Sequence, residues 1–144
     1  MKKLLFIFGF LGFLQISSAD IFTGAWTGNG TMTVQNGSQP LAIKIDVTIQ
    51  QLSDKLIILD CASDAVNVRC YDSHYEIRNG DQIFEQDRKI GDIFPGRITI
   101  YNGHQQAAEQ MLFKFITPTE LHYRYSYLNF DGQMETRFVI LKPK

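Results

Sequence analysis

The sequence predicts an all-β protein, an antiparallel up-and-down barrel of about eight to ten strands, and three observations carry that expectation. Apolar residues recur with a period of two rather than 3.6, the spacing of strands with one face in a core and one in water. Strand-length runs of this kind follow one another along most of the chain. Between them stand Asn36-Gly37, Asn79-Gly80, Asn102-Gly103 and Asp131-Gly132, dipeptides that accept the positive φ angles of tight hairpin turns. A meander of so many strands must bury its apolar face and deal with its edges, and closure into a barrel does both.

The chain opens with a segment of another kind. Lys2 and Lys3 precede a 13-residue apolar run from Leu4 to Ile16, and Ser17, Ser18 and Ala19 place small side chains before Asp20. Charge, apolar stretch and small residues in that order read as a cleavable signal peptide over 1–19, cut after Ala19. The run falls short of the roughly 20 residues that span a bilayer. No cysteine precedes Cys61, so no thiol stands at the cut to be acylated. The expectation is a secreted or periplasmic protein with one soluble domain over 20–144.

The first strand is expected over Gly24 to Val34. Leu41, Ile43, Ile45, Val47 and Ile49 then alternate with Ala42, Lys44, Asp46, Thr48 and Gln50, polar enough to argue against a lipid-facing barrel. Lys55 to Cys61, Val66 to Tyr71, His74 to Arg78 and Gln82 to Arg88 follow, then Arg97 to Tyr101, Met111 to Ile116, Leu121 to Phe130 and Gln133 to Leu141. Only HQQAAEQ, over 104–110, reads as locally helical.

Removal of 19 residues from 144 leaves 125, enough for a single core, with 12 basic against 15 acidic residues and a net charge of −3. With no polybasic run, nucleic acid is excluded as the main partner, and no membrane span remains after signal cleavage. In an oxidising compartment Cys61 and Cys70 are expected to pair. The polar segment ASDAVNVR between them suits a turn, so a bridge would staple neighbouring strands and contribute roughly 2–3 kcal/mol.

A two-residue turn at Asp131-Gly132 would set Tyr125 opposite Phe138, Tyr123 opposite Ile140 and Tyr127 opposite Thr136. Tyr123, Tyr125 and Tyr127 then share one face, with His122, Arg124, Ser126, Glu135 and Arg137 on a wet one. Other features carry less chemistry. His74, His104 and His122 match no local zinc spacing, so no metal is expected. Ser73 and His74 are strand neighbours pointing to opposite faces, and no G-x-S-x-G elbow occurs, so no enzyme is expected. Asp81, Glu85, Asp87 and Asp92 lack calcium-loop spacing and read as a solvated hairpin. Asn29-Gly30-Thr31 and Asn36-Gly37-Ser38 fit the N-glycosylation pattern, but turn and strand chemistry explains them equally well.

Gly24-Ala25-Trp26 resembles the G-x-W that opens the first strand of lipocalins and related calycin barrels. The resemblance implies a lipocalin-like barrel in which Trp26, the sole tryptophan, closes one end and Arg137, on the last strand, packs over its ring. METRFVIL is similar to the last strand of fatty-acid-binding proteins, where an arginine and a tyrosine two positions later bind a carboxylate. Here Val139 stands in the tyrosine's place, and the helical pair of that family has no room between Val34 and Leu41.

Two functional classes follow. One is an exported binding protein that holds a small hydrophobic ligand, without a cofactor, along Tyr123, Tyr125 and Tyr127. Arg137 would act from the closed end or on a ligand carboxylate. Three amphipathic rings suit a partly wet cavity better than a solid core. The alternative is a protein–protein interaction module, such as a hydrolase inhibitor, with a filled barrel and a projecting rim loop such as Asp81 to Pro95.

Overall fold

The period-two pattern is realised as ten antiparallel strands in a closed barrel, seen in a computed structural model that describes residues 21–35, 39–104, 107–128 and 131–144. The expected signal peptide, 1–19, and the Asn36-Gly37 turn lie outside the described residues. Strands β1 (Gly24–Val34), β2 (Leu41–Gln51), β3 (Lys55–Ser63) and β4 (Val68–Arg78) form one side of the wall. The shorter β5 (Gln82–Glu85), β6 (Arg88–Phe94) and β7 (Arg97–His104) continue it. β8 (Ala107–Thr117), β9 (Glu120–Leu128) and β10 (Met134–Pro143) complete it, and β10 pairs with β1 to close the ring. Every strand hydrogen-bonds its sequence neighbours, so the meander leaves no free edge.

Turn chemistry explains several joints. Asn79 and Gly80 adopt φ of 55° and 80°, the left-handed pair that an Asn-Gly hairpin requires, and link β4 to β5. A further left-handed residue, Gln86 at φ 57°, breaks the single strand expected over Gln82 to Arg88 into β5 and β6. The expected projecting loop over Asp81 to Pro95 is therefore mostly barrel wall. Val66 to Tyr71 and His74 to Arg78 were expected as two strands, but no turn intervenes, and 68–78 runs as one.

Of HQQAAEQ, expected as a helix, the described residues 104 and 107–110 are strand. Residues 108–110 pair with both β7 and β9, and Ala107 with β7, so ladders of backbone hydrogen bonds override a weak local propensity. Asn102-Gly103 likewise lies inside β7 rather than in a turn, because pairing continues to His104 opposite Ala107.

The register of the last hairpin differs from expectation by one residue. Leu128 pairs with Met134, so five residues join β9 to β10 rather than two, and Tyr125 faces Arg137 instead of Phe138. A slip of one residue turns a strand over. Arg137, Val139 and Leu141 consequently point into the barrel, while Phe138 and Ile140 lie on the outer wall at 46% and 42% exposure.

The core fills the half of the barrel that holds Phe22 and Trp26. Ile45, Val47 and Ile49 of β2, Leu56 and Ile58 of β3, Phe113 of β8 and Leu141 of β10 are all essentially inaccessible. Trp26 is buried among them, its Nε1 donating to the Phe22 carbonyl at 3.2 Å and its ring meeting Phe115 edge-on at 5.5 Å. These aromatics close that end. Gly28 is required here, since β1 approaches β10 so closely that a Cβ would overlap the Ile140 carbonyl.

Candidate binding site at the open end of the barrel

The inward positions of five strands change from apolar to polar at one height. Along β10 they read Leu141, Val139, Arg137, Glu135; along β8, Phe115, Phe113, Met111, Glu109; along β3, Leu56, Ile58, Asp60. On β9 the series is Leu121 and then three tyrosines, and on β4 it is Ile77, Tyr75, Ser73. The Trp26 end is thus a solid core, and the other end is a polar cup.

Tyr123 and Asp60 form the floor. The Tyr123 hydroxyl donates to Asp60 Oδ2, and both residues are almost wholly buried, at 0% and 2% exposure. Since β3 and β9 are separated by β2, β1 and β10 on one side and by five strands on the other, this bond crosses the lumen. Asp60 Oδ1 is buried with no hydrogen-bond partner among the described residues. Burial pushes the Asp60 carboxyl up from its ordinary pKa, with the Tyr123 hydrogen bond and the nearby Arg137 opposing. Burial, with the adjacent Asp60 carboxylate, also holds the Tyr123 hydroxyl well above its usual range.

Above this floor lies a cavity of about 400 Å³. Its walls are Met111, Tyr75, Tyr125 and Tyr127, and polar groups come from the buried Asp60 and Arg137, from the partly exposed Ser73, Glu85, Glu109 and Glu135, and from the exposed Arg69 and Tyr71. Burial raises the Glu109 carboxyl; a hydrogen bond from the Tyr125 hydroxyl opposes this, the like charges of Glu85 and Asp60 add to it, and Arg137 counters them in part. Tyr125 is itself raised, by burial and then by Glu109. Arg137, 5% exposed, donates through Nε to Glu135 Oε1 at 2.7 Å, and its guanidinium lies 4.8 Å from the centre of the Tyr125 ring. Burial works against its charge, but Glu135 and the neighbouring acids outweigh that and keep it protonated.

Of the residues singled out in the sequence, Tyr125, Tyr127 and Arg137 line this cavity and Tyr123 lies in its floor. The pairing of Arg137 with Trp26 does not occur. Arg137 stands opposite Met32 and Trp26 opposite Pro143, six positions apart on β10 or about 20 Å at the usual strand rise. Arg137 therefore belongs to the open end rather than the closed one, and Phe115 takes the place over the indole. Gly24 begins β1 at the closed end, beside Trp26. Cys61 and Cys70 are directly opposite on β3 and β4 and joined by a disulfide. His74 pairs with Asp72 at 3.0 Å and His122 packs on Phe138, and among the described residues no group of His, Cys, Asp and Glu could hold a metal.

Sequence reasoning passed over Asp60, Glu109 and Tyr75. Their signal was present as breaks in the inward apolar series, but only strands set in register show that the breaks share one level.

No protein-family model and no curated protein matches the sequence. Solved structures do match. An S-type phycobiliprotein lyase, CPES from Guillardia theta, superposes with a TM-score of 0.61 over 86% of this chain and 89% of its own, at 10% identity. A protein of unknown function of the DUF3598 family from Nostoc punctiforme gives 0.65 at 14% identity, over 86% of this chain but 48% of that one. A redesigned β-barrel gives 0.51 at 14% identity. These likenesses define the class: a closed, ten-stranded, lipocalin-like antiparallel barrel.

Proposed function

We propose that this protein is an exported, non-enzymatic binding protein that holds a small hydrophobic molecule with a polar end in the open half of its barrel. The observation that carries the reading is the cavity of about 400 Å³ above the Asp60–Tyr123 floor, walled by aromatic rings and furnished with a few convergent polar groups. That size and mixture suit small-molecule sites. Tyr75, Tyr125 and Tyr127 would receive the apolar body, and Asp60, Glu109 and Arg137 would orient the polar end. Phycobiliprotein lyase and this chain share the barrel, a fold compatible with ligand binding, and the amino-terminal pattern of charge, apolar run and small residues supports export.

Native mass spectrometry of protein purified from its natural compartment tests the reading. Extra bound mass is expected on the native chain and not on Ser73→Trp, whose indole would fill the cup. A native chain that carries no small molecule, and binds none of a panel of naphthyl probes, would overturn it.

A second reading, a module that contacts another protein through its rim, is favoured by the exposure of Val66 and Val68, 86% and 70%, where β3 turns into β4. It predicts co-purification of a protein, lost on Val66→Ser with Val68→Ser and kept in Ser73→Trp.

A further inference from the structure

We propose that the ligand of this cup is a small organic cation, an amine or amidine whose N–H groups are received by Asp60 and Glu109. The inference rests on the carrier reading and names the ligand class for the same cavity.

Asp60 and Glu109 stand on β3 and β8, which are five strands apart in either direction round the barrel and so face each other across it. Both line the cavity. Asp60 is 2% exposed, its Oδ2 is taken by the Tyr123 hydroxyl, and its buried Oδ1 has no partner among the described residues. A buried acceptor left unpaired is costly, and native structures seldom tolerate one without a purpose. A donor entering from the cavity would complete it. Glu109 accepts from the neutral Tyr125 hydroxyl, and the like charges of Glu85 and Asp60 act on it with Arg137 opposing them.

Arg137 offsets these acids only in part, because four carboxylates, of Asp60, Glu85, Glu109 and Glu135, line the cavity against the two guanidinium groups of Arg69 and Arg137. Arg137 is tied to Glu135 and lies over the Tyr125 ring, and Arg69 sits exposed toward the rim. The cup therefore carries an excess of carboxylates over guanidinium groups, and at the buried Asp60 charge acts strongly. A ligand ammonium would satisfy Asp60 Oδ1 with a charge-assisted hydrogen bond, relieve the repulsion between Asp60 and Glu109, and gain cation–π attraction from the tyrosine rings. An organic cation fits better than a bare metal ion, because the cavity is large and among the described residues no metal-holding cluster occurs.

Calorimetric titration of the mature protein with three probes of one skeleton tests this: 1-naphthylmethylamine, protonated at neutral pH, 1-naphthalenemethanol and 1-naphthoate. The amine is expected to bind about tenfold or more tighter than the alcohol, the usual worth of a hydrogen bond to a charged group, and the carboxylate most weakly. Asp60→Asn and Glu109→Gln should each shrink the ratio of amine to alcohol affinity. An alcohol as tight as the amine, a carboxylate tightest of all, or a ratio that survives both substitutions would overturn the cation inference while the carrier reading stands. Failure of all three probes at millimolar concentration would remove the carrier reading and the inference with it. The comparison within the native chain holds even where a variant fails to fold.

Discussion

The hydroxyl of Tyr123 on β9 and the carboxylate of Asp60 on β3 meet across the lumen and divide the barrel into a packed half and a hollow half. Neither group reaches water, so each depends on the other for its hydrogen bond. The boundary of the candidate site is thus a contact between residues 63 positions apart in the chain.

Tyr123→Phe removes that donor and leaves the buried Asp60 carboxylate with only the charge of Arg137 to offset its burial. A loss of about 1–3 kcal/mol is expected in urea unfolding. Asp60→Leu combined with Tyr123→Phe should cost less than the sum of the two single changes, because the acid that needed the hydroxyl is gone. Strict additivity would show that the two are not coupled.

Burial raises the Asp60 carboxyl above its ordinary pKa of 3.8. Its contribution to stability is therefore fully present below that value and is lost as pH rises through the folded-state pKa. Asp60→Asn, which cannot ionise, should gain stability relative to the native chain as pH rises from about 3 toward neutrality. Parallel stability profiles for the two proteins over that range would contradict the assignment.

Trp26 closes the apolar end through Phe22 and Phe115. Trp26→Ala should destabilise by roughly 3–5 kcal/mol and leave a void between those rings. The cup at the opposite end should retain its affinity for a naphthyl probe at low denaturant. Unchanged unfolding curves would show that the indole is not part of the core.

Reduction of the Cys61–Cys70 bridge should lower stability by roughly 2–3 kcal/mol without unfolding the chain, since β3 and β4 also pair through their backbones. Denaturant titration with and without reductant measures it. Two free thiols in the exported, unreduced protein would remove the premise.

Intact mass of the exported protein should correspond to a chain beginning at Asp20. A mass that retains residues 1–19 would mean that the segment stays attached and would overturn the expectation of cleavage.

Strand content, the exposed polar face of β2, the Asn79-Gly80 turn and the pairing of the two cysteines were legible because each depends on residues close in sequence. Side chains alternate from one residue to the next, and a left-handed turn needs only the dipeptide that tolerates it. The tyrosines of β9 were legible as an unusual inward face for the same reason.

Arg137 shows where that reading stops. The sequence by itself determined an all-β chain with amphipathic strands, one tryptophan on the first of them and three tyrosines in step near the end. Tertiary structure decided that Arg137 points inward beside Tyr125 rather than over Trp26, because a five-residue loop shifts β10 by one position and a one-position shift exchanges its faces. It also decided that Asp60, Glu109 and Tyr125 share one cup. Closure brings β3, β8 and β9 around a common lumen, and alternation within any single strand carries no information about which strand stands opposite.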